Sequence, residues 1–474
     1  MITKNSNGYL VSGVVSGLAM LFLYGCAGPV ATQEEATASI KGEVVEERVP
    51  ESFAAKAEQG TVDDGWIKSF NDPTLIQLTD EALAANPGIK IALAKVEQAN
   101  GLTRQAEAGL KPTVGYAGGY KDKEYEGSGS GKGGGSGGLA ISWEADVWGR
   151  IGTDIAGSEQ ETAATVADYQ FARQSLVASV SNGWFMANTA KFQHQFAEDV
   201  VKLQQKRVEV ATVMQEIGKG TERDTHLARG AAASAGEAAR DALSASEKAL
   251  RSLELLLGRY PSAELKTADK LVAVPPPVPA GIPTAIMERR PDLIAAEHRV
   301  AAAFFKQKEA ELLHLPRFSF SLGIGLNSIN DAIAGLSAGF FGPLYTGGAI
   351  EAEVDKATAV QKGAIAAYAQ VALKAFKEVE ESLAAEEHLL KREEYLNIEV
   401  RENKKAYDQT IQQYEIGQIN LLDVLTVENK WIASRIAEMD VAGQRLVNRV
   451  NLHLALGGSF EEMPVAAEQQ SEQQ

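Results

Sequence analysis

The sequence repeats itself at a fixed spacing of 199 positions, and this duplication restricts the possible folds more than any other feature. Each copy contains a glycine that opens a long segment, a Glu-Ile-Gly turn, an aspartate and a closing Leu-Gly. The matching positions are Gly149 and Gly348, Glu216 and Glu415, Asp224 and Asp423, and Gly258 and Gly457. Four anchors at one offset, with no gap between them, indicate one structural unit that is built twice.

A very long helix is predicted inside the second copy. From Gly348 to Ile416 the chain contains no proline, and apolar residues recur in steps of three, four and seven. That spacing predicts a helix with one buried stripe. At about 1.5 Å per residue the helix would be roughly 100 Å long, which is more than a globular domain needs. Such a length is typical of a protein that crosses a wide compartment.

Four shorter segments change from the helical period to a period of two, and the alternation in the second of them runs to Val147. Each is about ten residues long, the length of a tilted transmembrane strand, with one apolar face and one small or polar face. We predict that the following residues face lipid: Leu139, Ile141, Trp143, Phe318, Phe320, Leu322, Ile324, Leu336 and Phe340. A soluble sandwich sheet would show the same alternation. However, helices of this length could not wrap so small a sheet.

Four strands cannot close a barrel, and a lipid bilayer allows no open sheet edges. Because membrane barrels need about eight strands or more, the barrel must be shared, with eight strands from two chains or twelve from three. The predicted fold class is therefore mainly α with a small β part. It combines duplicated long helical hairpins with four strands per chain that contribute to a common transmembrane barrel.

The first residues resemble a bacterial lipoprotein signal. A short apolar run leads into Leu23-Tyr24-Gly25-Cys26, which matches a lipobox and contains the only cysteine of the chain. The alternative is an ordinary signal peptide with an incidental cysteine. We predict lipidation at Cys26, because the lone cysteine lies where the acyl chains would be attached. Ala27 follows instead of Asp, and by resemblance to the enterobacterial sorting rule this favours the outer membrane.

Composition and motifs exclude several function classes. The net charge of −17 argues against nucleic acid as a partner. The six histidines are scattered without metal-site spacing, so no catalytic site, metal site or cofactor is predicted. The glycine-rich tract from Gly127 to Gly138 lacks the first glycine and the Ser or Thr of a phosphate-binding loop. We interpret it as a flexible loop between two strands.

These features predict six regions along the chain. They are a lipoprotein signal peptide (1–25), a lipid-anchored polar tether (26–64), a first repeat (65–267), a proline-rich linker (268–287), a second repeat (288–458) and an acidic, glutamine-rich tail (459–474). The linker contains VAVPPPVPAGIP, which is typical of a stiff extended segment.

The two Glu-Ile-Gly turns are the strongest candidate sites. In each turn a glycine suits a left-handed helix C-cap, a Thr or Asn suits the next N-cap, and an aspartate three positions on suits a capping box. The residues are Gly218, Thr221 and Asp224 in the first turn and Gly417, Asn420 and Asp423 in the second. The simplest interpretation is a well-formed helical hairpin; the functional one is that the turns form the exposed tips.

Four segments carry a family resemblance. They are SWEADVWGR from Ser142, ERRPDLIAAEHRV from Glu288, GPLYTGG from Gly342 and YEIGQINLLDVL from Tyr414. Together they resemble the TolC-like outer-membrane efflux proteins, in particular the lipoprotein branch that serves drug and metal exporters. The resemblance runs from about Gly65 to Gly458 and rests on the order, spacing and duplication of the segments.

The resemblance implies a homotrimer in outer-membrane lipid, with a shared 12-stranded β-barrel and a periplasmic α-barrel tunnel. It implies two partners, an inner-membrane transporter and a periplasmic adaptor (membrane fusion) protein. The adaptor would contact the turns at Gly218, Thr221, Asp224, Gly417, Asn420 and Leu421, and Leu422 and Asp423 would form the channel gate. Relatives often have an acid where this chain has Thr426 and an Arg where it has Asn429, so the gate charges differ here.

The leading hypothesis is the passive exit duct of a tripartite efflux system, and not an enzyme. A duct for type I protein secretion is a second hypothesis. A lipid-anchored periplasmic helical scaffold without a pore is a third, although a scaffold has no use for two aromatic strand hairpins. The residues do not indicate the exported compound.

Overall fold

The computed structural model describes residues 64–121, 134–327 and 332–461, together with residues 30, 32–40, 50, 52–55, 60 and 62. Cys26, the first part of the glycine-rich tract and residues 462–474 of the predicted tail lie outside the described residues. Among the described residues, none of the helices combines the length and the apolar character needed to cross a membrane.

Nine α-helices and four strands form within the described residues. The helices are α1 Gln33–Ile40, α2 Pro73–Ala85, α3 Pro87–Glu107, α4 Arg150–Glu216, α5 Glu222–Leu256, α6 Ala285–Arg289, α7 Pro291–Leu312, α8 Ala349–Glu415 and α9 Leu421–Ala455. The strands are β1 Thr113–Lys121, β2 Gly134–Ala145, β3 Arg317–Asn327 and β4 Ala332–Phe341. Short 3₁₀ turns lie at Trp66–Phe70 and Ala108–Leu110.

The duplication read from the sequence is present helix by helix. Helices α4 and α8 each contain 67 residues, and α5 and α9 each contain 35. A glycine with positive φ lies two residues after the end of each of the four helices, at Gly218, Gly258, Gly417 and Gly457. The predicted fold class, mainly helical with two long hairpins and a small four-stranded part, is therefore confirmed. We call α4–α5 the first hairpin and α8–α9 the second hairpin.

The four strands form one antiparallel sheet in the order β1-β2-β3-β4. Residues directly opposite each other lie on the same face of a sheet, and Trp143 is opposite Phe320 while Leu322 is opposite Leu336. The register therefore gathers all nine apolar residues predicted to face lipid on one face. The other face carries mainly Gly, Ala and Ser; there Ser321 and Ser337 share a hydrogen bond of 2.6 Å.

The structure corrects both ends of β2. The strand begins at Gly134, so the last part of the tract predicted as a loop is paired with β1 and β3. Glycine is required there, because a Cβ at Gly138 would overlap the carbonyl oxygen of Ile324. The strand ends at Ala145, before Val147. Asp146 ends it by accepting hydrogen bonds from the N–H groups of residues 151 and 152, at 3.0 and 2.7 Å, which caps α4.

The chain divides into two compact units, and each unit contains segments from both repeats. The first comprises Met1–Arg48, Ala94–Ala167 and Ile294–Val371, and it holds the sheet. In this unit Ala36 of α1 is fully buried against Ala301 and Phe305, so part of the predicted polar tether is packed.

The second unit comprises Val49–Leu93, Asp168–Leu293 and Ala372–Gln474 and holds the largest apolar core. Phe70, Trp184 and Phe185 are almost completely buried in this core. The proline-rich linker is fastened to the same unit, because the buried guanidinium of Arg449 donates to the carbonyl oxygens of Pro275 and Pro276.

Candidate functional site

Both predicted turns are built in the same way. Gly218 and Gly417 close their helices with φ values of 74° and 79°. In each turn the amide of the residue after the glycine donates to the carbonyl oxygen five positions earlier, at 2.8 Å in the first turn and 2.9 Å in the second. This pattern is a Schellman motif, which pairs carbonyl groups that a helix end would otherwise leave open.

The predicted N-caps after the turns are formed. Thr221 Oγ1 accepts from the Asp224 amide and Asp224 Oδ2 accepts from the Thr221 amide, both at 3.2 Å, so the first turn has a complete capping box. In the second turn Asn420 Oδ1 accepts from the Asp423 amide at 3.1 Å, but the reciprocal bond from the Asn420 amide to the Asp423 carboxylate is not formed, so the capping box predicted there is only half present. Each hairpin therefore reverses direction within a few residues, and the turn itself pairs several of the backbone groups that the helix ends leave without helical partners.

The three residues that follow Asn420 have different environments. Leu421 is 0% exposed and packs with Val424 in a small apolar core beneath the turns. Its position supports the turn from inside and does not offer a side-chain surface to a partner. Leu422 is 45% exposed, and the Asp423 side chain is also at the surface of the chain.

The turns of the two hairpins lie close to each other. Ala211 and Ala228 of the first hairpin belong to the same small apolar core as Leu421 of the second. Burial and the nearby carboxylate of Asp224, in the first hairpin, raise the pKa of Tyr414, in the second. The structure thus brings the sequence-predicted residues of both turns into one region of the second unit.

A buried polar network that sequence reasoning missed lies further along the same helices. It consists of Gln204 and Arg207 in α4, Tyr407 in α8 and Glu428 in α9, and we call these four residues the buried network. The sequence did contain a signal for it. Glu428 lies seven positions after Leu421, on the same helical stripe as Val424 and Leu425, so its carboxylate points into the hairpin core.

The sheet presents a second candidate surface. Its apolar face is open: Leu139 is 58%, Leu336 63% and Phe340 76% exposed. Trp143 belongs to this face, and its indole N–H donates to the Leu110 carbonyl oxygen at 2.9 Å. A contiguous apolar face of this kind indicates a surface that is covered by lipid or by another protein.

A metal site does not emerge from the described residues. Among them, no group of three or more His, Cys, Asp or Glu side chains could hold a metal ion. His453 is buried and stacks on Trp66, with ring centroids 5.4 Å apart. Burial and the nearby Arg449 charge lower the pKa of His453 to about 3, so its ring is a neutral packing group.

Duplicated long hairpins and an open sheet with one apolar face define the architecture of TolC-like channels. The family described as outer membrane efflux protein matches the chain over residues 78–259 and 282–458. These two segments cover most of the chain, which therefore belongs to the outer membrane efflux protein family. This is a family of channel proteins and not of enzymes, and its members reside in the outer membrane.

Curated relatives agree with this assignment. The chain is 27% identical over 417 residues to the cation efflux system protein CusC of Escherichia coli O6:H1, covering 84% of this chain and 89% of the relative. It is 27% identical over 448 residues to the toluene efflux pump outer membrane protein TtgC of Pseudomonas putida, covering 88% and 89%. It is 26% identical to a probable outer membrane lipoprotein, SilC, of Salmonella typhimurium, covering 84% and 89%.

Solved structures support the fold. The outer-membrane channel OprN superimposes with a TM-score of 0.80 at 23% identity, covering 88% of this chain and 98% of OprN. The CmeC outer membrane channel of Campylobacter jejuni gives a TM-score of 0.81 at 20% identity, covering 89% and 96%.

Proposed function

We propose that the protein is the exit duct of a tripartite efflux system, which passively conducts substrates from an inner-membrane transporter and a periplasmic adaptor across the outer membrane. The observation that carries the proposal is the open four-stranded sheet with one exposed apolar face. Such a sheet needs neighbouring strands at both edges and lipid on its apolar face. The similarity to efflux proteins such as CusC and TtgC supports a function in transport.

Three copies would supply twelve strands, with β1 of one copy paired to β4 of the next. Chemical crosslinking of the protein in outer membranes should give a ladder that ends at the trimer. A ladder ending at the dimer would contradict the proposed stoichiometry.

The conducting role can be separated from a scaffold role in planar bilayers. The purified oligomer should give discrete conductance steps. A correctly assembled trimer without conductance would favour the helical scaffold. Export of an unfolded polypeptide by the reconstituted pump would favour the protein-secretion duct.

We further propose that Cys26 carries the lipid anchor, as a triacylated N-terminal residue. The Cys26→Ser variant should lose incorporation of labelled palmitate while the parent retains it. Label that remained on the variant would contradict lipidation at this position.

The adaptor is proposed to bind at the two turns, through Gly218, Thr221, Asp224, Gly417 and Asn420, with Leu421 supporting the second turn from inside. Leu422 and Asp423 are proposed to form the gate. A photo-crosslinking side chain in place of Lys219 should capture the adaptor in cells. The same group in place of Lys391, remote from the turns and 60% exposed, is the matched control. Equal capture at both positions would contradict a specific site.

A further inference from the structure

The first compact unit contains a groove of about 820 Å³ where the sheet joins the helices. It is lined by one side of α3, α4 and α7, by two residues of α8 and by Glu144 near the end of β2. All of these residues belong to the first unit, so the groove is a feature of that unit alone. The functions proposed above for the turns do not use it.

The side of the helices on which the groove lies follows from α4. Asp154 and Glu161 line the groove, and their spacing of seven positions puts them on one face of the helix. Gly152 and Ala156 lie on the opposite face. A Cβ at Gly152 would come within 3.0 Å of the Val30 side chain, and Ala156 packs in the cluster formed with α1. The groove and the N-terminal segment are therefore on opposite sides of α4.

The sheet gives the same orientation. Glu144 follows Trp143, which belongs to the apolar face, so Glu144 lies on the face that carries mainly Gly, Ala and Ser. Its partner in β3 is Ser319, on that same face. The groove therefore continues the small and polar face of the sheet. In the proposed duct the apolar face meets lipid, and the groove then opens to the lumen.

The walls of the groove are largely apolar. Leu102 of α3 and Val360 of α8 line it and are 53% and 55% exposed. Alanines of α3, α7 and α8 form much of the remaining surface. A concave, mainly apolar surface with a few charged groups is typical of sites that bind small molecules.

Two basic groups of the groove are already paired with carboxylates. Arg150 forms ion pairs with Glu144 at 3.0 Å and with Glu309 at 3.6 Å. Lys306 forms ion pairs with Asp154 and with the same Glu309. An anionic ligand would have to displace one of these carboxylates before it could use either basic group.

Glu161 is the open charge of the groove. It is exposed, and its carboxylate forms neither a hydrogen bond nor an ion pair with any residue that the structure describes. Arg299, the third basic residue of the groove, has an interaction of its own. When Glu309 is included, four carboxylates stand against three basic groups. The charge of the groove therefore favours a cationic ligand.

We propose that this groove is a binding site in the duct wall for cationic amphiphiles. The apolar body of the ligand packs against Leu102 and Val360, and its positive group pairs with Glu161. Because this ion pair is open to water, it is weak, and a bound molecule can leave again. The location in the lumen rests on the proposed duct function, whereas the preference for a cation follows from the groove itself.

Two small aromatic ions provide the test. Benzyltrimethylammonium and benzenesulfonate each carry a permanent charge on one phenyl ring, and the charges have opposite signs. Saturation-transfer NMR on the purified full-length oligomer should show tighter binding of the cation. Glu161→Gln should weaken binding of the cation by up to about fivefold, the range for an exposed ion pair. Leu102→Ser should also weaken it, because the apolar wall is reduced.

Glu159→Gln is the matched control. Glu159 is an exposed acid on α4, two positions before Glu161, but it does not line the groove. This variant removes the same charge and should keep the affinity of the parent for the cation. Equal binding of the two ions, equal losses in the Glu159 and Glu161 variants, or no binding of the cation would each overturn the proposal.

Planar bilayers separate the site from the duct function. Benzyltrimethylammonium should reduce the potassium current through the parent more than through the Glu161→Gln variant, because an occupied groove narrows the lumen. Binding that depends on Glu161 in an oligomer without conductance would support the site and contradict the duct. Conductance without such binding would support the duct and contradict the site.

Discussion

Two buried glutamates show how the surroundings of a carboxylate determine the direction in which its pKa shifts. Glu254 accepts hydrogen bonds from the amides of Ala263, Glu264 and Leu265 at 2.7, 2.9 and 3.1 Å. Burial alone would raise its pKa, but these backbone donors prevail and hold the pKa below its ordinary value of 4.5. Glu428 has fewer donors, and burial raises its pKa above that value in spite of Arg207.

We expect Glu254→Gln to lower the thermal unfolding temperature at neutral pH, because a neutral amide accepts the three backbone N–H groups less well. The lowered pKa means that this stabilisation is present above pH 4.5 and is lost as the pH falls through the folded-state pKa. The difference between parent and variant should therefore shrink in acid. Circular dichroism melts in detergent would measure it, and a difference that does not depend on pH would contradict this role for the carboxylate.

Glu428→Gln should show the opposite pH trend. A raised pKa stabilises the folded state below the ordinary value of 4.5, and this contribution is lost as the pH rises through the folded-state pKa. The stability of the parent relative to the variant should therefore fall as the pH rises over that range. The same melts provide the measurement, with Glu254→Gln as the internal comparison. Parallel trends in the two variants would show that the buried network is not the cause.

At the scale of elements, each strand of the sheet contributes alternate residues to two different faces. Phe320→Arg and Ile141→Arg should block assembly in the outer membrane, since a basic side chain on a lipid-facing position costs about 2–4 kcal/mol near mid-bilayer. Ser321→Arg lies next to Phe320 but on the other face, and it should assemble. Heat-modifiable migration on gels would distinguish folded from unfolded protein. Equal assembly of the Phe320 and Ser321 variants would contradict the lipid-facing assignment.

The sequence predicted elements well where local chemistry determines them. The turn glycines, the caps at Thr221 and Asn420 and the period-two strands all follow from backbone and side-chain preferences of a few residues. It failed where pairing with distant segments decides the outcome. Gly134–Gly138 has the composition of a loop and becomes strand because β1 and β3 pair with it on both sides. The spacing along α9 places Glu428 on the buried stripe, but it cannot identify the partner Arg207, which lies 221 positions away in the chain.

At the scale of the whole molecule, the repeats do not form side-by-side domains. Each compact unit takes segments from both repeats, so neither repeat has a separate core. Sequence periodicity could identify the duplicated hairpins. It could not show that each unit combines segments of both repeats, because it contains no information on which helices pack together. The residues also could not give the number of chains around the barrel, because four strands per chain allow more than one closed barrel.

Two substitutions in the second turn distinguish a gate role for Asp423 from a purely structural role. In a trimer three Asp423 carboxylates would converge near one axis, repel one another and favour cations. Asp423→Ala should therefore raise conductance in planar bilayers and weaken cation preference. The cap of α9 uses the Asp423 amide and the Asn420 side chain, so this substitution leaves the cap hydrogen bond in place.

Asn420→Ala is the matched control, because it removes the cap while keeping the Asp423 carboxylate. It should lower stability by about 0.5–2 kcal/mol without altering ion preference. The two variants thus separate charge from capping in one turn. If Asp423→Ala lowered the unfolding temperature while conductance and ion preference stayed as in the parent, Asp423 would be only a structural residue of the turn, and the gate would have to lie elsewhere.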